Sequence, residues 1–236
     1  MRNSPLLEIS VGSVEIAVAA QRGGADRIEL CIEQDIGGLT PTRALMMEAR
    51  ANLQIPIFVM IRPRAGNFAY SDGEFSAMCA SIRLAKQMHM DGVVLGVLTA
   101  ERRVDVERTR ALVGLARGMQ VTFHRAIDET ANLLDALEEI VQTGADRILT
   151  SGGERTALEG AERIAALVEN AQERIVILPG AGIHPGNVQE IARRTDAKEF
   201  HSGLSSVLAR PADAMRFEAE VQRLRKHLRD AASQSS

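Results

Sequence analysis

Gly24-Ala25-Asp26-Arg27-Ile28 and Gly144-Ala145-Asp146-Arg147-Ile148 are the same five residues, set 120 positions apart in a chain of 236. Each leads from an amphipathic stretch into a short apolar one, Arg27–Cys31 in the first copy and Arg147–Gly152 in the second. The glycine suits the end of a helix and the apolar run suits a strand. The offset is about half the chain. It brings the second and sixth strands of a series into register, and Ile57 to Gly66 and Val176 to Gly182 take matching places in the third and seventh. A half-barrel duplication accounts for this echo. A recurring helix-to-strand turn of α/β units accounts for it too, and both predict the same local structure.

Working outward, six more strand candidates complete the series: Leu6–Val11, Ile55–Pro63, Gly92–Leu98, Met119–Arg125, Arg174–Pro179 and Lys198–Ser202. Amphipathic segments separate them, among them Ser13–Arg22, Glu74–Met88, Asp105–Arg117 and Asn132–Thr143, and Pro211–Leu228 follows the last. Strict alternation of β and α predicts a parallel sheet. Eight units with no segment left over predict an α/β fold of one domain, a (β/α)8 TIM-type barrel over residues 1–236, near the roughly 250 residues usual for one. An open doubly wound sheet is the rival. Ala231 to Ser236, small and polar, reads as a flexible tail.

Hydrophobic residues make up 45% of the chain and aromatics 3%, with no Trp, so the core must be aliphatic. That composition suits parallel strands covered on both faces. The net charge of −3 is spread over interspersed acids and bases. No basic tract points to nucleic acid, and no apolar run of about 18 residues points to a membrane span. Met1 to Pro5 lacks the apolar region of a signal peptide. Cys31 and Cys79 lie far apart. The expectation is a cytoplasmic protein in a reducing compartment.

Side chains alternate along a strand, and the outer face of a barrel strand must be apolar to meet helices. With Leu7, Ile9 and Val11 outward, Glu8 and Ser10 point in. With Ile28 and Leu30 outward, Arg27, Glu29 and Cys31 point in. The same rule sends Met60 and Arg62, Thr122 and His124, Arg147, Leu149 and Ser151, and Glu199 and His201 inward. Barrel interiors are normally Val, Ile and Leu, and buried charge is costly unless paired. Two accounts stand: an ion-paired plug, or a site at the C-terminal ends of the strands, where Arg62, His124, Ser151 and His201 fall.

His124 is the acid–base candidate by its ordinary pKa, with a satisfied core histidine as the alternative. Glu8 and Glu29 could divide the roles of acid and base, or pair with Arg27, Arg62 or Arg125. Asp128 joins the catalytic candidates by orienting an arginine, or else caps the next helix. Arg62 and Arg125 suit a carboxylate or phosphate. Gly180 and Gly182 follow strand seven, and His201, Ser202 and Gly203 close strand eight, where barrels often hold phosphate. With Ser151 these are the substrate- or anion-binding candidates. The loop Arg64 to Gly73, with Phe68 and Tyr70, reads as a lid or a subunit contact. His89, His227, Cys79 and the helical methionines read as surface or packing.

Several stretches together resemble the CutC family of copper homeostasis proteins. They are Gly23 to Cys31, Gly37-Gly38-Leu39-Thr40-Pro41, Met60-Ile61-Arg62-Pro63-Arg64, Phe68 with Tyr70-Ser71 and Glu74, Thr122-Phe123-His124-Arg125-Ala126 with Asp128, Leu149-Thr150-Ser151-Gly152, and Gly180-Ala181-Gly182-Ile183 with Asn187. The resemblance spans strand one to strand eight. It implies a TIM-type barrel, a cytoplasmic location, a homodimer or higher assembly, and copper as ligand. Many relatives carry Cys where this chain has Ser10, so two thiols could share one Cu(I) there. Here a copper site at Cys31 would draw on His124, His201 or Met60. Three functions are therefore expected to compete: copper binding at the barrel mouth; a metal-independent lyase or isomerase acting on a small anionic or phosphorylated substrate; and a non-catalytic scaffold.

Overall fold

The computed structural model describes residues 5–208 and 213–234. Among them, eight strands alternate with eight α-helices in the order β1 (Leu6–Val11), α1 (Val14–Arg22), β2 (Arg27–Leu30), α2 (Arg43–Asn52), β3 (Ile57–Met60), α3 (Asp72–Gln87), β4 (Gly92–Leu95), α4 (Val106–Leu115), β5 (Gln120–Phe123), α5 (Leu133–Val141), β6 (Arg147–Thr150), α6 (Ala161–Ala171), β7 (Val176–Pro179), α7 (Val188–Thr195), β8 (Glu199–Ser202) and α8 (Ala214–Gln234). Every strand pairing is parallel, in the order β7-β6-β5-β4-β3-β2-β1-β8, and β7 packs beside β8. The sheet thus curls round to a (β/α)8 barrel, as the alternation predicts.

Most strands are shorter than their apolar runs. Beyond the ladder the chain turns away, so Arg62, His124 and Ser151 stand on loops just past β3, β5 and β6. The start predicted at Pro211 lies outside the described residues. Within the stretch read as a tail, α8 continues through Gln234. Ser235 and Ser236 lie outside the described residues.

Side-chain caps fix where several helices begin. Ser13, Thr42, Asp105 and Asn132 each accept a backbone N–H from the first turn that follows. Ser71 and Glu74 form a reciprocal capping box at α3. The outer core holds Leu7, Ile9, Val11, Ile28, Leu30, Ile57, Val59 and Phe123 against the helices, and a separate inner cluster holds Cys31, Phe58, Met60 and Val94. The alternation therefore runs as read from the sequence.

The pentapeptide echo acquires a physical role. Asp26 accepts the Leu7 N–H and Asp146 accepts the Val121 N–H, both at 2.7 Å. Each aspartate stitches the start of its own strand to the start of the preceding one. Asp91, before β4, does the same to Ile57 at 2.8 Å. Arg27 and Arg147, next in each copy, enter the barrel floor from opposite sides and meet at Glu199, at 2.7 and 3.2 Å. Both guanidinium carbons lie 5.0 Å from the Phe58 ring centroid, so two cations pack on one ring. Gly92 makes room for it: a Cβ there would stand 2.7 Å from Phe58.

Candidate functional site

Above this floor the interior charges form a chain. Glu8 is fully buried, pairs with Arg27, and binds His201 Nδ1 at 2.7 Å. His201 Nε2 faces a Glu29 carboxylate oxygen at 3.8 Å. The other Glu29 oxygen has no hydrogen-bond partner. Burial pushes the Glu8 carboxyl up, but the Arg27 charge and the His201 bond outweigh it and hold the group at about 2. Burial pushes Glu29 up, and the Glu8 charge adds to this, so its pKa is raised. Burial works to lower His201, yet Glu29 and the Glu8 bond win and raise it. An ionised Glu8 therefore fixes the His201 ring, while the Glu29 and His201 pKa values shift toward each other across the 3.8 Å between them.

The C-terminal mouth opens into a cavity of about 530 Å³. Its wall contains Glu29, Cys31, Arg62, His124, Arg125, Asp128, Gly182, His201 and Gly203 of the candidates. Glu8, Ser151, Gly180 and Ser202 are not on that wall. Glu8 takes the pairing alternative of its sequence reading: Arg27 and His201 occupy its carboxylate. Ser151 is consumed by Asp128, Arg125 and the Glu154 carbonyl. Gly180 is covered by Leu149 and His201. Ser202 donates to the Ile183 carbonyl and accepts the Leu204 N–H, shaping the β7 and β8 loops from behind.

Three further candidates find their surroundings. Arg62, the candidate for an anion, donates from its two terminal nitrogens to the carbonyls of Ile36, Gly38 and Gly66. Only Nε is left without an acceptor. Asp128 does not cap α5; Asn132 does. Its carboxylate accepts from Arg125, the Thr150 and Ser151 hydroxyls, and the N–H groups of Ser151 and Gly153, so it fastens the β6 loop. His124, read as the acid–base group, is driven down to about 3 by burial and by the nearby Arg62 and Arg125 charges. In the Arg64 to Gly73 loop, Arg64 donates to the carbonyls of Ala65, Asn67 and Ala69 and to the Glu74 carboxylate. Phe68 is buried by that loop against Arg62 and His124.

For copper, the described residues offer little convergence around Cys31. The group of three or more His, Cys, Asp or Glu side chains whose ligating atoms come within 4.8 Å of one another is Glu8, Glu29 and His201. Cys31 is outside it. Ser10 Oγ on β1 stands 3.5 Å from the Sγ of Cys31, the residue just past β2. The sequence reading missed Gln34, Ile36, Ala181 and Glu154, which come to the wall from loops after β2, β6 and β7. Only loop geometry could have found them.

Comparison with known proteins agrees with this barrel. The CutC family model matches residues 5–206. A CutC family protein of Xylella fastidiosa is 48% identical over 203 residues, covering 86% of this chain and 76% of the relative. The human copper homeostasis protein cutC homolog is 47% identical over 204 residues, covering 86% and 75%. The crystal structure of CutC from Streptococcus agalactiae superposes with a TM-score of 0.80 at 32% identity, over 84% of this chain and 98% of that one.

Proposed function

This chain belongs to the CutC family, and we propose that it serves copper homeostasis, the role its human relative is named for, with the barrel mouth as its working site. Copper enters this reading as cargo. The observation that carries it is the buried Cys31 thiol on the cavity wall, in one cluster with the Met60 thioether. These are the donor types that Cu(I) favours. His201 Nε2 is a further donor; His124 is not, since its Nδ1 already accepts the Ala126 N–H. Ser10 marks where a second thiol would stand. Reduced Ser10→Cys is expected to bind Cu(I) at least about tenfold tighter than the parent, or ~1.4 kcal/mol. Cys31→Ala is expected to lose the parent's binding. Competition against a strong Cu(I) chelator reads both, and unchanged affinity in the two variants would remove the thiol site. The family resemblance supports a cytoplasmic homodimer, and no helix among the described residues is long and apolar enough to cross a membrane.

A second reading rests on a different observation, the unpartnered Glu29 oxygen beside His201. It makes the mouth a metal-independent lyase or isomerase site for a small anionic or phosphorylated molecule. Glu29 and His201 would handle the proton, and Glu8 would hold the ring in place. A thermal-shift screen of small carboxylates and phosphate esters is expected to give a hit that still binds Glu29→Gln but is no longer turned over. Failure of every such compound to shift the melting temperature would end this reading.

A further inference from the structure

Taking the mouth as a binding site for a small anionic molecule, we infer that His124 is a fixed, neutral hydrogen-bond donor, and that its Nε2–H and the Arg62 Nε–H together receive a carboxylate or phosphate oxygen of the ligand. The Ala126 N–H donates to His124 Nδ1 at 3.2 Å. A ring nitrogen that accepts an N–H carries no proton, so the proton of the neutral imidazole sits on Nε2. Adding a second proton would set an N–H against the Ala126 N–H, in a buried place between the charges of Arg62 and Arg125. Burial and those charges accordingly hold the group at about 3.

His124 Nε2 has no acceptor within the protein, and neither has Arg62 Nε. Both side chains are more than nine-tenths buried, and both line the cavity. Three of the four terminal Arg62 N–H groups donate to carbonyls, which fixes the direction of the guanidinium. Both side chains pack on Phe68, whose ring lies 4.8 Å from the His124 ring and 4.9 Å from the Arg62 guanidinium carbon. The pair is therefore preorganised around one aromatic wall. One donor is a permanent cation and the other is an uncharged N–H. That combination favours an anionic oxygen and needs no change of protonation when the ligand binds.

The test is nitrogen-15 NMR of the histidine rings in the full chain, with sulfate and acetate as probes. Sulfate stands for a phosphoryl group and acetate for a carboxylate. His124 is expected to keep the Nε2–H tautomer from pH 8 to pH 5 while the probe that fits shifts its Nε2–H resonance. Binding of that probe should weaken at least tenfold in His124→Phe and recover in His124→Gln, which restores an N–H donor; circular dichroism checks that each variant is folded. A proton on Nδ1, titration of His124 within that range, or unchanged binding in His124→Phe would each overturn the donor role while leaving the small-anion reading intact. If neither probe perturbs any resonance from the mouth, that reading falls and the inference with it.

Discussion

Glu8→Ala is expected to destabilise the fold by about 3–5 kcal/mol, the cost of breaking a buried ion pair by removing one partner. Glu8 is fully buried and bound to both Arg27 and His201. Its loss leaves Arg27 with Glu199 alone, and that carboxylate is already shared with Arg147. Urea melts of parent, Glu8→Gln and Glu8→Ala measure the effect, with Gln expected between the other two. The pH profile checks the cause. The Glu8 pKa is lowered from 4.5 to about 2, so its contribution is complete above about pH 4.5 and is lost as the pH falls toward 2. His201 has the opposite sign. Its raised pKa adds stability that is complete below 6.5 and is lost as the pH rises through the folded value. The parent should therefore lose stability on both the acid and the alkaline side, and Glu8→Gln should lose the acid limb. An acid limb of equal depth in Glu8→Gln would mean that Glu8 is not the group responsible.

Glu8 also shows how far the sequence could be read. Period-two alternation placed Glu8, Arg27, Glu29, Arg147, Glu199 and His201 inside the barrel, because outward apolar residues leave no other choice. It could not say at what depth. The plug and the site were posed as rivals, and depth reconciles them: Arg27, Arg147 and Glu199 close the floor, Glu29 and His201 face the mouth, and Glu8 joins the layers. The roles of His124 and Arg62 were hidden for another reason. Each is set by backbone groups, the Ala126 N–H in one case and three loop carbonyls in the other, and backbone groups leave no mark in composition or spacing. Asp128 orients Arg125, as one of its two sequence readings has it, but its grip on the β6 loop is not legible in the sequence. A cap and a loop clasp both need a carboxylate beside backbone N–H groups, and only the fold brings Ser151 and Gly153 to it.

That clasp sets up a second large effect, at a residue with no side chain. Gly160, just before α6, lies with its Cα directly against the Ser151 carbonyl. A Cβ there would overlap the Ser151 carbonyl oxygen and come within 3.1 Å of the Gly152 Cα. These are backbone atoms, with no rotamer to give way. The β6 loop cannot retreat either, since Asp128 grips Ser151 and Gly153 from the other side. Gly160→Ala must then move α6 or tear the loop from Asp128, leaving buried N–H groups unpaired. A loss of about 3 kcal/mol or more in urea melts is expected, overpacking and lost hydrogen bonds acting together. Ligand affinity at the mouth should fall as well, because Gly153 and Glu154 form part of its wall. Gly114→Ala is the control. It lies within α4, and a Cβ there meets nothing within 4 Å. That change should stabilise by about 0.5–1 kcal/mol, as alanine for glycine does in an exposed helix. Equal effects at the two glycines would show that helix propensity, and not the contact with Ser151, governs position 160.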